Sequence, residues 1–313
     1  MRRDAPSPAC NAGDVTVRTA YLAAEGFAEE LEHELGGADA RHGRLLITSG
    51  PPRPAAWSAN TWLDPQEIPV ASISDAAARL RAIQRNWAVY APRLYRRAML
   101  IQQQLPRVSA KPLVFGSPPP TAPLGSWTLL DAGTMFAAPH CTSPFPNGEV
   151  RFVEDHTGPP SRAYLKFWEA LTLIGRHPEP GEVCLDLGSS PGGWSWGLQQ
   201  MGARVISVDK APLAPEIARL PGIEHRQESA FAVDPRTVGR VDWLFSDVVC
   251  YPPRLFALVE RWIAAGTCRN FVCTIKFQGQ TDHETARRFA AIPGSQLRHL
   301  FHNKHELTWS KIG

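Results

Sequence analysis

Four side chains in this sequence could activate a hydroxyl group: Lys166, Asp247, Lys276 and Glu306. A lysine that has lost its proton can accept another from a sugar hydroxyl, and carboxylates beside it can hold the amine in place. An unperturbed lysine, with a pKa of about 10.4, is protonated at neutral pH and needs a second positive charge nearby to act as a base. At an effective dielectric near 20, an ammonium about 5 Å away costs the charged form about 3 kcal/mol. Lys276 is therefore the expected general base, Asp247 and Glu306 the orienting groups and Lys166 the tuning charge, with no metal required. Each residue alone is weak evidence of a site, because charged residues at strand ends are usually surface residues. Their predicted convergence is what raises them above that.

The second chemical feature is the run V-C-L-D-L-G-S-S-P-G-G-W at 183–194. It reads as a strand, a tight glycine loop and a helix start, an arrangement that brings backbone close to a nucleotide-like ligand. Its spacing is G-x-x-x-G-G, unlike the G-x-G-x-x-G of dinucleotide sites, and Pro191 removes one backbone donor. An adenosine carrying a sulfonium suits such a loop better than a pyrophosphate does. Asp186, Gly188, Ser190, Pro191, Gly192, Gly193 and Trp194 are the candidate binding residues of the loop. Asp209, at the end of the next strand, is placed to accept both ribose hydroxyls.

These residues need a sheet to gather them. From residue 161 onward strands and helices alternate, with strands expected at 182–188, 204–209, 223–227, 241–248, 270–277, 297–303 and 306–312. Only Lys304 and His305 would separate the last two, which predicts a tight hairpin and one antiparallel strand in a mostly parallel seven-stranded sheet. Ligands of such sheets sit at the carboxyl ends of the strands. Asp247 and Lys276 end two strands there, Glu306 begins the returning strand, and Lys166 lies in the first turns of a helix over 163–174.

The chain has 313 residues, 43% of them apolar, and a net charge of +3. That length suggests two domains, and the charge is too small to argue for nucleic acid by itself. Cys10, Cys141, Cys184, Cys250, Cys268 and Cys273 show no C-x-x-C or zinc spacing and read as reduced thiols of a cytoplasmic protein. Residues 1–11 have no apolar run of a signal peptide, no segment is long enough for a membrane span, and a monomer is expected. Proline clusters at 51–54, 117–123 and 139–146 precede the regular half and place the boundary near residue 150: an N-terminal domain at 1–150 and a catalytic domain at 151–313. Val15, Val17 and Thr19 start a strand, Phe27, Leu31 and Leu35 line a helix stopped by Gly36-Gly37, and 44–48 form a second strand, a small β-α-β unit. A helix is expected at 74–91, and Pro92 begins another to about residue 104. Across them Arg79, Arg81, Arg85, Arg93, Arg96 and Arg97 interleave with Trp87, Tyr90 and Tyr95, a composition suited to RNA or simply to a solvated helix face.

The glycine loop with the Lys-Asp-Lys-Glu set resembles the FtsJ class of ribose 2′-O-methyltransferases. The bacterial RlmM family is matched in more detail. Its A-P-S-R-x-x-L-K is similar to P-P-S-R-A-Y-L-K at 159–166, and its D-L-G-x-x-P-G-G-W run is present. So are S-V-D before Pro212, S-D-V-V at 246–249, the spacing of Trp262, Cys268-Arg269 and Lys276, and L-x-H-x-x-x-E-L-T at 300–308. G-F-A-E-E-L at 26–31 is similar to the start of that family's ferredoxin-like domain, which precedes a THUMP RNA-binding domain. The resemblance implies a Rossmann-like α/β fold, S-adenosyl-L-methionine as cofactor, and methylation of a cytidine ribose in large-subunit ribosomal RNA, free or in a precursor particle. It implies a smaller α+β N-terminal domain, here shorter and broken by prolines. Where the family has an adenine-contacting Asp, this chain has Ser229 with Glu228 beside it, so adenine recognition falls to Glu228 or to backbone. The competing readings are a methyltransferase of another RNA, an RNA-binding protein without catalysis, and a nicotinamide dehydrogenase, which the loop spacing disfavours.

Overall fold

The computed structural model describes residues 17–109 and 111–313. The expectations for Val15, Cys10 and residues 1–11 fall outside the described residues. The chain opens with β1 (Arg18–Ala23), α1 (Ala28–Leu35), β2 (Ala40–His42), β3 (Leu45–Ser49) and β4 (Ser58–Leu63). Helix α1 buries Ala28, Leu31 and Leu35 and ends at Gly36, whose φ of 73° is the left-handed C-cap that the glycine pair announces. Strand β1 pairs antiparallel with both β3 and β4, giving the order β2-β3-β1-β4. That is the ferredoxin-like order, with the proline-rich stretch 50–57 where the second helix would be.

Next come β5 (Gln66–Pro69), α2 (Ile73–Ile83), β6 (Trp87–Val89), α3 (Tyr95–Gln102), β7 (Gly125–Leu129), β8 (Thr134–Ala138) and β9 (His140–Cys141). Strand β9 extends the first sheet beside β4, while the other four form a second sheet, β5-β8-β7-β6. The helix expected at 74–91 therefore stops at Ile83. Trp87 explains why: its indole N–H donates to the carbonyls of Leu80 and Gln84, at 3.0 Å each, and the fully buried ring turns the chain into β6, which pairs with β7. The helix after Pro92 begins only at Tyr95.

The second half runs α4 (Ala163–Ile174), β10 (Val183–Leu187), α5 (Gly193–Gln200), β11 (Arg204–Val208), α6 (Pro215–Ala218), β12 (Ile223–Arg226), α7 (Pro235–Val238) and β13 (Val241–Ser246). It closes with α8 (Pro252–Ala265), β14 (Cys268–Lys276), α9 (His283–Ala290), β15 (Ser295–Arg298) and β16 (Glu306–Lys311). Seven strands make one sheet, β12-β11-β10-β13-β14-β16-β15, in which β16 alone is antiparallel to its neighbours. The expected tight hairpin is absent: β15 ends at Arg298, and residues 299–305 form a loop before Glu306. That loop is pinned from outside the sheet. The Phe301 and His302 amides donate to the buried carboxylate of Glu169 at 2.7 and 2.9 Å, and the His299 amide donates to the Ala56 carbonyl at 2.6 Å.

The two architectures pack against each other beside a cavity of about 950 Å³ that residues of both line. Phe27 and Trp57 lie against His299, at ring separations of 4.7 and 5.3 Å, and against His305. One apolar core continues from Leu31 and Trp57 to Phe277 and Trp309. Our proposed domain boundary near residue 150 follows the change of architecture; the packing itself is continuous.

Candidate active site

Each of the four reactive side chains is delivered by a different element. Lys166 projects from the first turn of α4, Asp247 follows the last residue of β13, Lys276 ends β14 and Glu306 begins β16. Antiparallel pairing sets Lys276 directly across from Glu306. The Lys166 ammonium donates to Asp247 Oδ1 and to Glu306 Oε1, each at 2.8 Å. Lys276 Nζ lies 2.6 Å from the Asp247 carbonyl oxygen and 3.2 Å from the same Oδ1. The two lysine nitrogens thus share one carboxylate oxygen and lie no farther apart than the sum of their distances to it.

The cluster has a closed end and an open end. Lys166 is 6% exposed and Glu306 7%. Burial alone would disfavour the Lys166 ammonium, but the Asp247 and Glu306 charges more than offset it, so its pKa stands above that of an ordinary lysine. Lys166 is a fixed cation. Lys276 is half-buried and lines a cavity of about 400 Å³ at the carboxyl ends of the strands.

Gly188, Ser190, Asp209 and Asp247 share that cavity with Lys276, as do Ser229, Phe231, Lys210 and Arg254. Asp209 is held in one orientation, since its two oxygens accept from the Ser190 amide at 3.1 Å and the Ala211 amide at 2.9 Å. Each oxygen keeps further acceptor capacity on a residue of the cavity wall, which suits a vicinal pair of ribose hydroxyls. An acidic acceptor on one wall, a polar loop beside it and a nucleoside-sized space fit an adenosine-bearing cofactor.

Gly188 lines the cavity and also makes the turn, while Asp186, Pro191, Gly192, Gly193 and Trp194 stay off its wall. Gly188, at φ 84°, is required because a Cβ would stand 2.6 Å from the Val248 Cα, and Gly192, at φ 115°, because a Cβ would meet Ile217 at 2.7 Å. These glycines serve the tight turn and its packing. Gly193 starts α5, Pro191 is kept off the cavity wall, and the Trp194 indole donates to the Ala163 carbonyl at 3.0 Å, tying the loop to α4. Asp186 lies wholly inside, accepting from Ser195 at 2.6 Å, and burial pushes its pKa up to about 7. Ser195 in turn meets Ser207. Asp186 thus braces the loop from beneath. Glu228 is exposed and outside the cavity wall; its neighbour Ser229 is on it. Cys250 lies beside the cavity, and burial pushes its thiol up to about 11, too high for a nucleophile at neutral pH.

Sequence reasoning missed Glu169. It sits three residues after Lys166 on α4, 1% exposed, and takes three hydrogen bonds from the 299–305 loop, the third from His302 Nδ1 at 2.7 Å. One helix therefore grips both the loop and, through Lys166, the Glu306 that follows it. A carboxylate three residues after Lys166 in a helix of mostly apolar residues was the available signal. In the N-terminal half the arginine–aromatic pattern largely dissolves. Trp87 is buried, and the Tyr90 hydroxyl accepts from the Arg44 amide at 2.8 Å, leaving Tyr95, 67% exposed, as the open ring.

Residues 159–285 match the family model for FtsJ-like methyltransferases, and they lie within the half of the chain that forms the Rossmann-like sheet. A protein of Halorhodospira halophila named "Ribosomal RNA large subunit methyltransferase M" is 38% identical over 157 residues, 48% of this chain and 46% of its own length. One of the same name from Marinomonas is 30% identical over 194 residues, covering 56% of this chain and 54% of the relative. The chain spans about half the length of the curated relatives it matches. Among solved structures, a ribosomal RNA methyltransferase of Plasmodium falciparum aligns with 49% of this chain and 97% of its own at 15% identity and a TM-score of 0.38, too distant a likeness to extend the topology already described.

Proposed function

We propose that this protein methylates the 2′-hydroxyl of a ribose in RNA, with large-subunit ribosomal RNA as the substrate, using S-adenosylmethionine. The observation that carries the reading is the placement of Lys276 Nζ, on the cavity wall and fixed by both oxygens of one residue, Asp247 Oδ1 and its carbonyl. When bound, the cofactor supplies a methyl group activated by a positively charged sulfur. Asp209 and the Gly188–Ser190 turn would hold its adenosine end, and Asp247 faces the same space.

The chain's own residues then have distinct tasks. Lys276 Nζ takes the proton of the ribose hydroxyl, freeing a lone pair on that oxygen to attack the methyl carbon in line, while the carbon–sulfur bond would break and its electron pair would leave with neutral S-adenosylhomocysteine. Asp247 points the amine by accepting its hydrogen atoms, so the nitrogen lone pair is aimed away from the carboxylate. Lys166, committed to two carboxylates, supplies a positive charge that does not titrate with the base. Glu306 completes the neutralisation of Lys166 and anchors it.

The names of the relatives support large-subunit ribosomal RNA, and the exposed Arg93, Arg96 and Tyr95 on and before α3 are where an N-terminal RNA contact would form. The test is transfer of a radiolabelled methyl group from S-adenosylmethionine to large-subunit RNA from cells lacking the gene, followed by nuclease mapping. A single 2′-O-methylated nucleotide is expected. Label on a base, or on transfer RNA alone, would overturn this assignment.

A further inference from the structure

The cavity beside Lys276, at about 400 Å³, holds one nucleoside-sized ligand, so an acceptor nucleotide has to lie across its rim. That rim has an unusual composition on one side. Val249 is 71% exposed and Tyr251 66%, and both lie in the short loop that Asp247 begins. Val249 also lines the cavity. Leaving two large apolar side chains in water next to a reactive amine has no rationale in folding, and exposed apolar surface of this kind marks a contact site.

The Tyr251 backbone is held in one place. It precedes Pro252, which is buried, and its carbonyl accepts from the Arg254 amide at 3.0 Å and the Leu255 amide at 3.4 Å as α8 starts. Two prolines in succession, Pro252 and Pro253, stiffen the segment further. Beside it the Arg254 guanidinium lies 3.8 Å from the centroid of the Phe231 ring, and Lys210 stands on the same cavity wall. Neither cation belongs to an ion pair among the described residues. The two acids of the cavity are engaged, Asp247 by lysines and Asp209 by backbone amides. Lys210 and Arg254 are thus the cations of the cavity wall that no carboxylate holds among the described residues.

We infer that Tyr251 is a stacking platform for an unpaired base of the acceptor strand, with Lys210 and Arg254 meeting the adjoining phosphates. An aromatic face stacks on any base, and arginine and lysine track the backbone. A base inside a duplex cannot offer its face, so the acceptor is single-stranded or splayed out at this point. This rests on the RNA reading above and deepens it.

The experiment compares wild type with Tyr251→Phe, Tyr251→Leu and Tyr251→Ala. Initial rates of methyl transfer are measured against RNA concentration, with S-adenosylhomocysteine binding by calorimetry as a check on the cavity. Loss of stacking on one base should raise the KM for RNA about 5- to 150-fold in Ala and in Leu. The ring-preserving Phe should stay within about twofold of wild type, and all variants should bind S-adenosylhomocysteine alike. A KM restored by Leu would mean a plain apolar contact, as with a protein partner, and would overturn the platform. So would an unchanged KM in Ala. A parallel binding assay uses single-stranded RNA carrying 2-aminopurine, whose fluorescence should be quenched by wild type and Phe but not by Leu. If wild type methylates no RNA, the enzymatic reading fails by itself, and this quenching still decides whether Tyr251 stacks on a base.

Discussion

The two ends of the four-residue cluster share one carboxylate oxygen and little else. At the closed end Lys166 is buried, doubly paired and held protonated. At the open end Lys276 faces the cavity with one side-chain partner and a backbone carbonyl. The same residue type is thus sealed in an ion-pair cluster in one place and open to the cavity a few ångströms away, where we propose it accepts a proton. Burial and the number of carboxylates, rather than residue identity, separate the two roles.

Substitutions at the two ends should break in opposite ways. Lys276→Ala is expected to lower methyl transfer by about 10²–10⁴-fold, the usual contribution of a general base. Its stability should change by no more than about 1 kcal/mol, as for a partly exposed ion pair. S-adenosylhomocysteine affinity, measured by calorimetry, should stay within about twofold; retained turnover would remove Lys276 from the chemistry. Lys166→Met leaves the buried Glu306 without its cation and Asp247 with Lys276 alone, and should cost about 3–5 kcal/mol in urea unfolding. Equal stability losses at the two lysines would show that the closed and open ends are not distinct.

Glu169→Gln sharpens the comparison at the closed end. Removing the charge from the acceptor of the Phe301 and His302 amides should cost about 1–3 kcal/mol. Hydrogen exchange at those two amides should accelerate while the β14 amides remain protected. Uniform acceleration would mean the loop and sheet open together.

The smallest expected effect is in acid. His299 lies between the Phe27 and Trp57 rings, with Nε2–H donating to the Lys304 carbonyl at 2.9 Å, and burial lowers its pKa to about 4. A folded value below the unfolded one of about 6.5 stabilises the protein fully above pH 6.5. That stabilisation is lost as pH falls toward 4. His299→Phe should flatten the decline of melting temperature between those pH values; an unchanged slope would assign it to other groups.

How much of this was legible depends on the range of the forces involved. Helix α4 begins and ends at the residues that the apolar pattern indicates, and β10, the Gly188 turn and the placement of Asp247, Lys276 and Glu306 follow from local periodicity plus one topological rule. The second N-terminal sheet was not legible, because β6 looks helical until the Trp87 indole finds its two carbonyl acceptors. The 299–305 loop reads as strand because its capping partners, Glu169 and Ala56, are far away in sequence. Glu228 and Ser229 are neighbours, and only the direction of the chain after β12 puts Ser229 on the cavity wall.

Residue order alone determined the parallel sheet, its glycine turn and which four charged groups would arrive at one edge, since each depends on spacing within a single element. The folded chain decided which lysine would be sealed under two carboxylates and which would open onto the cavity. It also decided which glycines pack rather than bind, and that a glutamate on α4 would clamp the last loop. Those outcomes depend on distances between elements remote in sequence, and it is such distances that set burial and electrostatic coupling.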